Sequence, residues 1–262
     1  MENLYIIKIG GNVIDVEQAL KTFLKDFASI DAKKILVHGG GKIASRIGEQ
    51  LNIQPHYVNG RRITDAATID LVTMVYGGLI NKKIVAQLQA FACNAIGLTG
   101  ADASVLPATK RPVAEIDYGF VGDPVENISS FAIETFLETG LTPVLAPLTH
   151  DGMGQLLNTN ADTIASVIAV ALSKKYSVRL IYCFEKKGVL NDVNDENSIV
   201  PLITKDVYDT MIAENKLHDG MLPKIQNAFT ALSKGVNEIV IGHADDLLKN
   251  VSEKNTGTLI RN

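Results

Sequence analysis

Two cysteines in 262 residues, Cys93 and Cys183, leave little scope for covalent cross-linking. Both sit in apolar surroundings, which argues for buried free thiols in a reducing cytoplasm rather than a disulfide. No stretch approaches the roughly 20 consecutive apolar residues of a membrane span. The first strand begins within three residues of the amino terminus, so a signal peptide has no room and a cytoplasmic location is expected. Basic residues show no surplus: 25 Lys and Arg against 29 Asp and Glu give a net charge of −4, and they are dispersed. Neither nucleic acid nor an anionic membrane is therefore expected as a partner. Low-complexity tracts, long linkers and internal repeats are also missing.

What is present is a large apolar fraction, 46% of residues, enough for a substantial core. At this length the chain can form one large α/β domain or two closely packed lobes. Apolar strand candidates at 4–9, 34–38, 94–98, 142–147, 178–183 and 237–241 alternate with helical patterns. The helices are expected near 15–29, 41–51, 65–91, 129–139, 161–173, 204–215 and 221–235. That alternation predicts a mainly parallel sheet covered by helices on both faces. Segment 104–125 breaks the pattern with turn signals at Asp117-Tyr118-Gly119 and Gly122-Asp123-Pro124, and is expected to form a hairpin on the rim.

Lys8 interrupts an otherwise apolar strand and is followed at once by Gly10 and Gly11. A lysine in a buried strand costs free energy unless an anion meets it. Two glycines let backbone N–H groups approach that anion, so a phosphate site at the carboxyl edge of the sheet is indicated. A snorkelling lysine at a strand end is the plainer alternative. His38-Gly39-Gly40-Gly41 ends the next strand and opens a helix, where the dipole adds attraction for an anion. Residues 39–44 formally fit the dinucleotide G-x-G-x-x-G/A pattern, but 57–62 lacks the carboxylate that should bind the ribose. The Walker A pattern fails as well, because Leu36 stands where its first glycine belongs and Ile43 follows Lys42.

Arg61-Arg62 follows Asn59-Gly60 and precedes a helix that Thr64 or Asp65 would cap. A guanidinium can clamp a carboxylate through two parallel hydrogen bonds, which makes this pair a substrate-anchor candidate beside the solvated-surface alternative. Asn158-Thr159-Asn160-Ala161-Asp162 brings three polar side chains to one helix mouth, more than a single N-cap needs. Lys224 falls in the first turn of the helix after Asp219-Gly220, where a cation is unfavourable without a nearby negative charge.

Together these segments resemble the amino acid kinase family, most closely its N-acetylglutamate kinase branch. The resemblance runs the length of the chain, adding Gly77 through Asn81-Lys82, Gly97-Leu98-Thr99-Gly100, Asp117 through Gly122, and Gly257-Thr258. It implies a three-layer αβα sandwich with an open, mainly parallel central sheet. An N-terminal lobe of about 1–175 would bind the acyl-glutamate and dimerise, and a C-terminal lobe of about 176–262 would bind the nucleotide. The implied reaction is ATP-dependent phosphorylation of the γ-carboxylate of an N-acyl-L-glutamate, N-acetyl-L-glutamate first and N-succinyl-L-glutamate as alternative. Lys8 and Lys224 would stabilise the phosphoryl group and the departing nucleotide, with Asp162 orienting both lysines. Gly10, Gly11 and Asn160 would serve the phosphates, and Gly40, Gly41, Arg62 and Asn158 the acyl-glutamate. Mg²⁺ would arrive on ATP. A carboxylate is already ionised at pH 7, so no general base is required, and His38 is expected to be structural.

Cys183-Phe184-Glu185-Lys186-Lys187-Gly188 departs from the Thr/Ser-Asp-Val-x-Gly usual in such kinases and bears on the donor contacts. A non-catalytic ligand-sensing homologue is the alternative that this departure supports. Arginine-inhibited relatives carry an extra helix before the first strand, so a homodimer without arginine feedback is expected.

Overall fold

A computed structural model describes residues 1–58, 60–192, 194–214 and 221–262. Asn59 of the arginine loop, the end of the helix expected over 204–215, and Asp219-Gly220 lie outside the described residues.

Strand β1 (Glu2–Ile9) shows why the sheet is central. Its apolar side chains alternate between two cores: Leu4 and Ile6 enter one, Ile7 and Ile9 the other, and all four are fully buried. β2 (Lys33–His38) repeats the division, with Ile35 and Val37 on the first face and Leu36 on the second. A strand covered on both sides must be apolar throughout, which is the pattern of a parallel sheet between helical layers. β3 (Ala95–Leu98), β4 (Thr142–Leu145), β5 (Tyr176–Phe184), β6 (Leu202–Ile203), β7 (Glu238–His243) and β8 (Thr258–Ile260) complete it. Their order is β6-β8-β7-β5-β1-β2-β4-β3. Every pairing is parallel except β7 with β8.

The second face is covered by α1 (Gly11–Asp15), α2 (Glu17–Ser29), α3 (Gly41–Gln50), and a long helical segment over residues 66–90. That segment comprises α4 (Ala66–Val72), eight residues of π-helix (Thr73–Ile80) and α5 (Asn81–Ala90). The sequence predicts a single helix there, because a 4.4-residue turn cannot be told from a 3.6-residue one over so few apolar positions. The first face carries α6 (Phe131–Glu138), α7 (Ala161–Leu172), α8 (Lys205–Ala213) and α9 (Leu222–Ser233). The layers are those the sequence predicts, and the expected rim hairpin pairs Ala108–Lys110 with Gly122–Pro124.

Candidate active site

Parallel strands deliver their carboxyl ends to one edge, and there the loops after β1 and β2 meet the mouths of α7 and α9. They enclose a cavity of about 520 Å³. All ten residues singled out by sequence line it: Lys8, Gly10, Gly11, Gly40, Gly41, Arg62, Asn158, Asn160, Asp162 and Lys224. Among the described residues, five cationic side chains, Lys8, Arg61, Arg62, Arg111 and Lys224, line it with a single carboxylate, Asp162. Such a surplus suits phosphate and carboxylate groups.

Lys8, buried at the end of β1, places its Nζ 2.7 Å from Asp162 Oδ1. The contact is an ion pair without hydrogen-bond geometry, since Oδ1 accepts no hydrogen bond. Asp162 is positioned by α7, whose N-cap Asn160 accepts from the backbone N–H groups of Asp162 and Thr163 through Oδ1 at 2.7 and 3.2 Å. Tyr182 Oη donates to the Asp162 carbonyl at 3.3 Å from β5. The family resemblance implies that Asp162 orients both lysines. Among the described residues its ion pair is with Lys8, while the Lys224 ammonium lies 3.7 Å from the centroid of the Phe184 ring and feels the Asp162 charge without a direct contact. Burial lowers the affinity of Lys224 for its proton, Asp162 offsets part of that and Lys8 adds to it.

The glycine loop after β2 shows why its middle residue is glycine. Gly40 has φ +154°, and a Cβ there would stand 2.4 Å from Ile80 Cδ1 and 3.0 Å from Tyr76 Cδ1. The π-helical turn brings both side chains against the loop, so only hydrogen fits. Gly41, by contrast, has nothing within 4 Å of its Cβ position, leaving open space for a ligand. Beneath the loop His38 is fully buried, with Nδ1 2.8 Å from the Gly39 carbonyl. Nδ1 therefore carries the proton, and Nε2 accepts from Asn81 Nδ2 at 3.2 Å. Burial lowers the His38 imidazole to about 4, so it is neutral at physiological pH.

Arg62 is buried rather than solvated. Its Nη2 donates to the Gly41 carbonyl, Ser45 Oγ and Tyr57 Oη, and its guanidinium carbon lies 4.8 Å from the Tyr57 ring centroid. Asp65, not Thr64, caps α4, accepting from Thr68 N at 2.8 Å. Asn158 Nδ2 donates to Thr64 Oγ1 at 3.0 Å, tying the arginine loop to the mouth of α7. Cys183 is fully buried and its thiol is pushed up to about 12, which excludes a thiolate nucleophile beside Lys8. Sequence reasoning missed Tyr57, Tyr76, Arg111, Tyr182 and Phe184 as lining residues. Only Phe184 carried a signal, through its place in the unusual 183–187 segment.

The model of the amino acid kinase family matches residues 3–243. The chain belongs to that family. Similar members of the amino acid kinase family include the acetylglutamate kinase of Cytophaga hutchinsonii, 53% identical over 98% of this chain and 97% of that one. The acetylglutamate kinase of Bacteroides thetaiotaomicron is 52% identical over 99% of each chain. Among solved structures, smu.665 from Streptococcus mutans UA159 superposes with a TM-score of 0.78 at 30% identity, covering 98% of each chain. N-acetylglutamate synthase from Neisseria gonorrhoeae reaches 0.83 over all of this chain but 59% of its own, and at 18% identity it shows the fold alone.

Proposed function

We propose that this amino acid kinase transfers the γ-phosphoryl group of ATP to the γ-carboxylate of N-acetyl-L-glutamate, giving the acyl-glutamyl 5-phosphate in arginine biosynthesis. The observation that carries the reading is the Lys8–Asp162 pair standing with Lys224 beside an open glycine cradle, in a cavity lined, among the described residues, by five cations and one carboxylate. A carboxylate oxygen attacks the γ-phosphorus, the bond to the β-phosphate oxygen breaks, and ADP departs with the electron pair. No proton moves, so no base is needed. The barrier is the approach of one anion to another, and fixed positive charge lowers it.

In this reading Lys8 meets the transferring phosphoryl group and Lys224 the departing phosphates. Asp162 holds Lys8 in line. Backbone N–H groups of Gly10, Gly11, Gly40 and Gly41 line the path of transfer, and the Asn160 cap fixes the α7 dipole toward it. The guanidinium of Arg62, held from one side by Gly41, Ser45 and Tyr57, offers its remaining N–H groups to the substrate carboxylate, with Asn158 beside it. Mg²⁺ enters on the nucleotide: Asp162, the lining carboxylate among the described residues, is already engaged by Lys8. We assign acyl-glutamate binding to residues 1–175 and the nucleotide to 176–262, in a cytoplasmic homodimer. Met74 and Leu79, exposed along the 66–90 helical segment, are apolar surface that supports a contact between copies. Among the described residues no helix is long and apolar enough to cross a membrane.

The test is ATP-dependent acylphosphate formation, trapped with hydroxylamine, on N-acetyl-L-glutamate, N-succinyl-L-glutamate and glutamate in parallel. Signal with the acetyl substrate is expected. Signal only with the succinyl substrate would reassign the acyl group, and none with any substrate would defeat the catalytic reading.

A further inference from the structure

The residue after Cys183, Phe184, stands close to both lysines assigned to phosphate. Phe184 ends β5, half-buried, and lines both the main cavity and a second, smaller cavity of about 250 Å³ that Gly10 and Gly11 also line. Its ring centroid is 3.7 Å from Lys224 Nζ and 5.0 Å from Lys8 Nζ. The ring is in turn braced by Tyr182, with centroids 6.2 Å apart and planes inclined by 18°. Among the described residues, the charged groups acting on Lys224 are Asp162 from α7 and Lys8 from β1, of opposite sign.

Two ammonium groups converging on one site repel each other, and the place 2.7 Å from Asp162 Oδ1 is filled by one of them. Lys8 takes that place. Lys224, on the first turn of α9 where the helix dipole disfavours a cation, needs a second source of negative potential. The π face of an aromatic ring supplies it without adding a formal charge that would compete with phosphate. A carboxylate in that position would bind the ammonium more tightly and have to be displaced. A ring releases it easily.

We propose that Phe184 is a positioning residue for phosphoryl transfer: its ring holds the Lys224 ammonium charged and aimed into the cavity beside Lys8, ready to pass to the nucleotide phosphates. The inference rests on the roles given above to Lys8 and Lys224. It assigns this position an electrostatic task carried out by an aromatic face.

The test compares Phe184→Leu, which keeps an apolar side chain but removes the ring, with Phe184→Tyr and Phe184→Trp, which retain a π face. For Phe184→Leu, kcat/KM for ATP is expected to fall about three- to thirty-fold, the range of one desolvated cation–π contact. The alkaline limb of its pH profile, which reports free-enzyme groups, moves to lower pH by about half a unit to one unit. The KM for N-acetyl-L-glutamate stays unchanged, and the Tyr and Trp variants recover both ATP readouts. Equal losses in all three variants, or an unmoved alkaline limb, would overturn the proposal. So would an equal loss of affinity for adenosine, which has no phosphates, because the ring would then serve the base. NMR of the unsubstituted protein gives a readout independent of turnover. The ε-methylene protons of Lys224, assigned by their loss in Lys224→Met, are expected upfield of ordinary lysine through the ring current. Their appearance at the ordinary position would refute the placement. An upfield signal in a protein without kinase activity would support the placement while refuting the reaction.

Discussion

Lowering the pH from 7.5 to 5 should weaken this fold through one residue, His38. Its imidazole is fully buried under the glycine loop and pulled down to about 4 from an ordinary 6.5. The unfolded chain takes up a proton near pH 6.5, whereas the folded chain resists until about pH 4. Across that window the unfolded state binds more protons, so stability falls as pH falls, and the loss saturates below the folded value. A shift of this size amounts to roughly 3 kcal/mol in full, at about 1.4 kcal/mol per pH unit. About 2 kcal/mol of it is lost by pH 5, a large share of a typical stability of about 5–15 kcal/mol. The carboxylates held below their ordinary range, Asp65 and Glu134, lose their contributions only at lower pH. Asp15, raised by burial, acts in the opposite sense. Urea unfolding at pH 7.5, 6.5, 5.5 and 5, followed by far-UV circular dichroism because the chain has no tryptophan, measures the slope at fixed protein concentration. His38→Gln keeps an acceptor toward Asn81 but cannot titrate, so its stability should decline by about 2 kcal/mol less over the same range. Parallel pH curves for the two proteins would refute the burial argument.

Lys8→Met preserves the apolar stem and removes the charge, so kcat should drop about 100-fold or more while the KM for acyl-glutamate changes little. Steady-state kinetics separates the two, and a raised KM with intact turnover would deny a transition-state role. Gly40→Ala drives a methyl group into Ile80 and should cost about 1–3 kcal/mol in urea unfolding, part of which Ile80→Ala should restore. Asp65→Ala removes the α4 cap and should cost about 1 kcal/mol by the same measurement.

Much of this architecture could be read from the chain because its strands are buried on both faces. Leu4 to Ile9 is apolar apart from the half-buried Tyr5 and the buried Lys8, so Lys8 stood out. β6 and β8 escaped notice, since two or three residues carry no measurable period. The short ladder between Leu148–His150 and Leu156–Asn158 is equally local and depends on tertiary pairing. The candidate site was legible where glycine and charge occur together, at 8–11, 38–41 and 158–162. Arg62 was visible as a charge but not as a buried one, because Ser45 and Tyr57 reach it from other elements. Arg111 and Tyr76 carried no signal. Arg111 comes to the cavity on a hairpin that the sequence marks only as irregular, and Tyr76 reads as an ordinary core aromatic. Phe184 looked like a departure from pattern, and its meaning depends on a distance to Lys224 that sequence does not encode.

The pairing of β1 with β5 has a consequence for how the molecule is made. β1 is joined residue by residue from Glu2 to Ile9 with Tyr176 to Cys183, a strand that leaves the ribosome only after about two-thirds of the chain. Until then the lysine-bearing strand lacks its neighbour on one side; Asp162 comes shortly before that strand, Phe184 is its last residue, and Lys224 follows on α9. Such long-range closure slows folding and leaves strand edges open in the nascent chain. It also means that a product terminated before residue 224 lacks one of the two lysines assigned to phosphate.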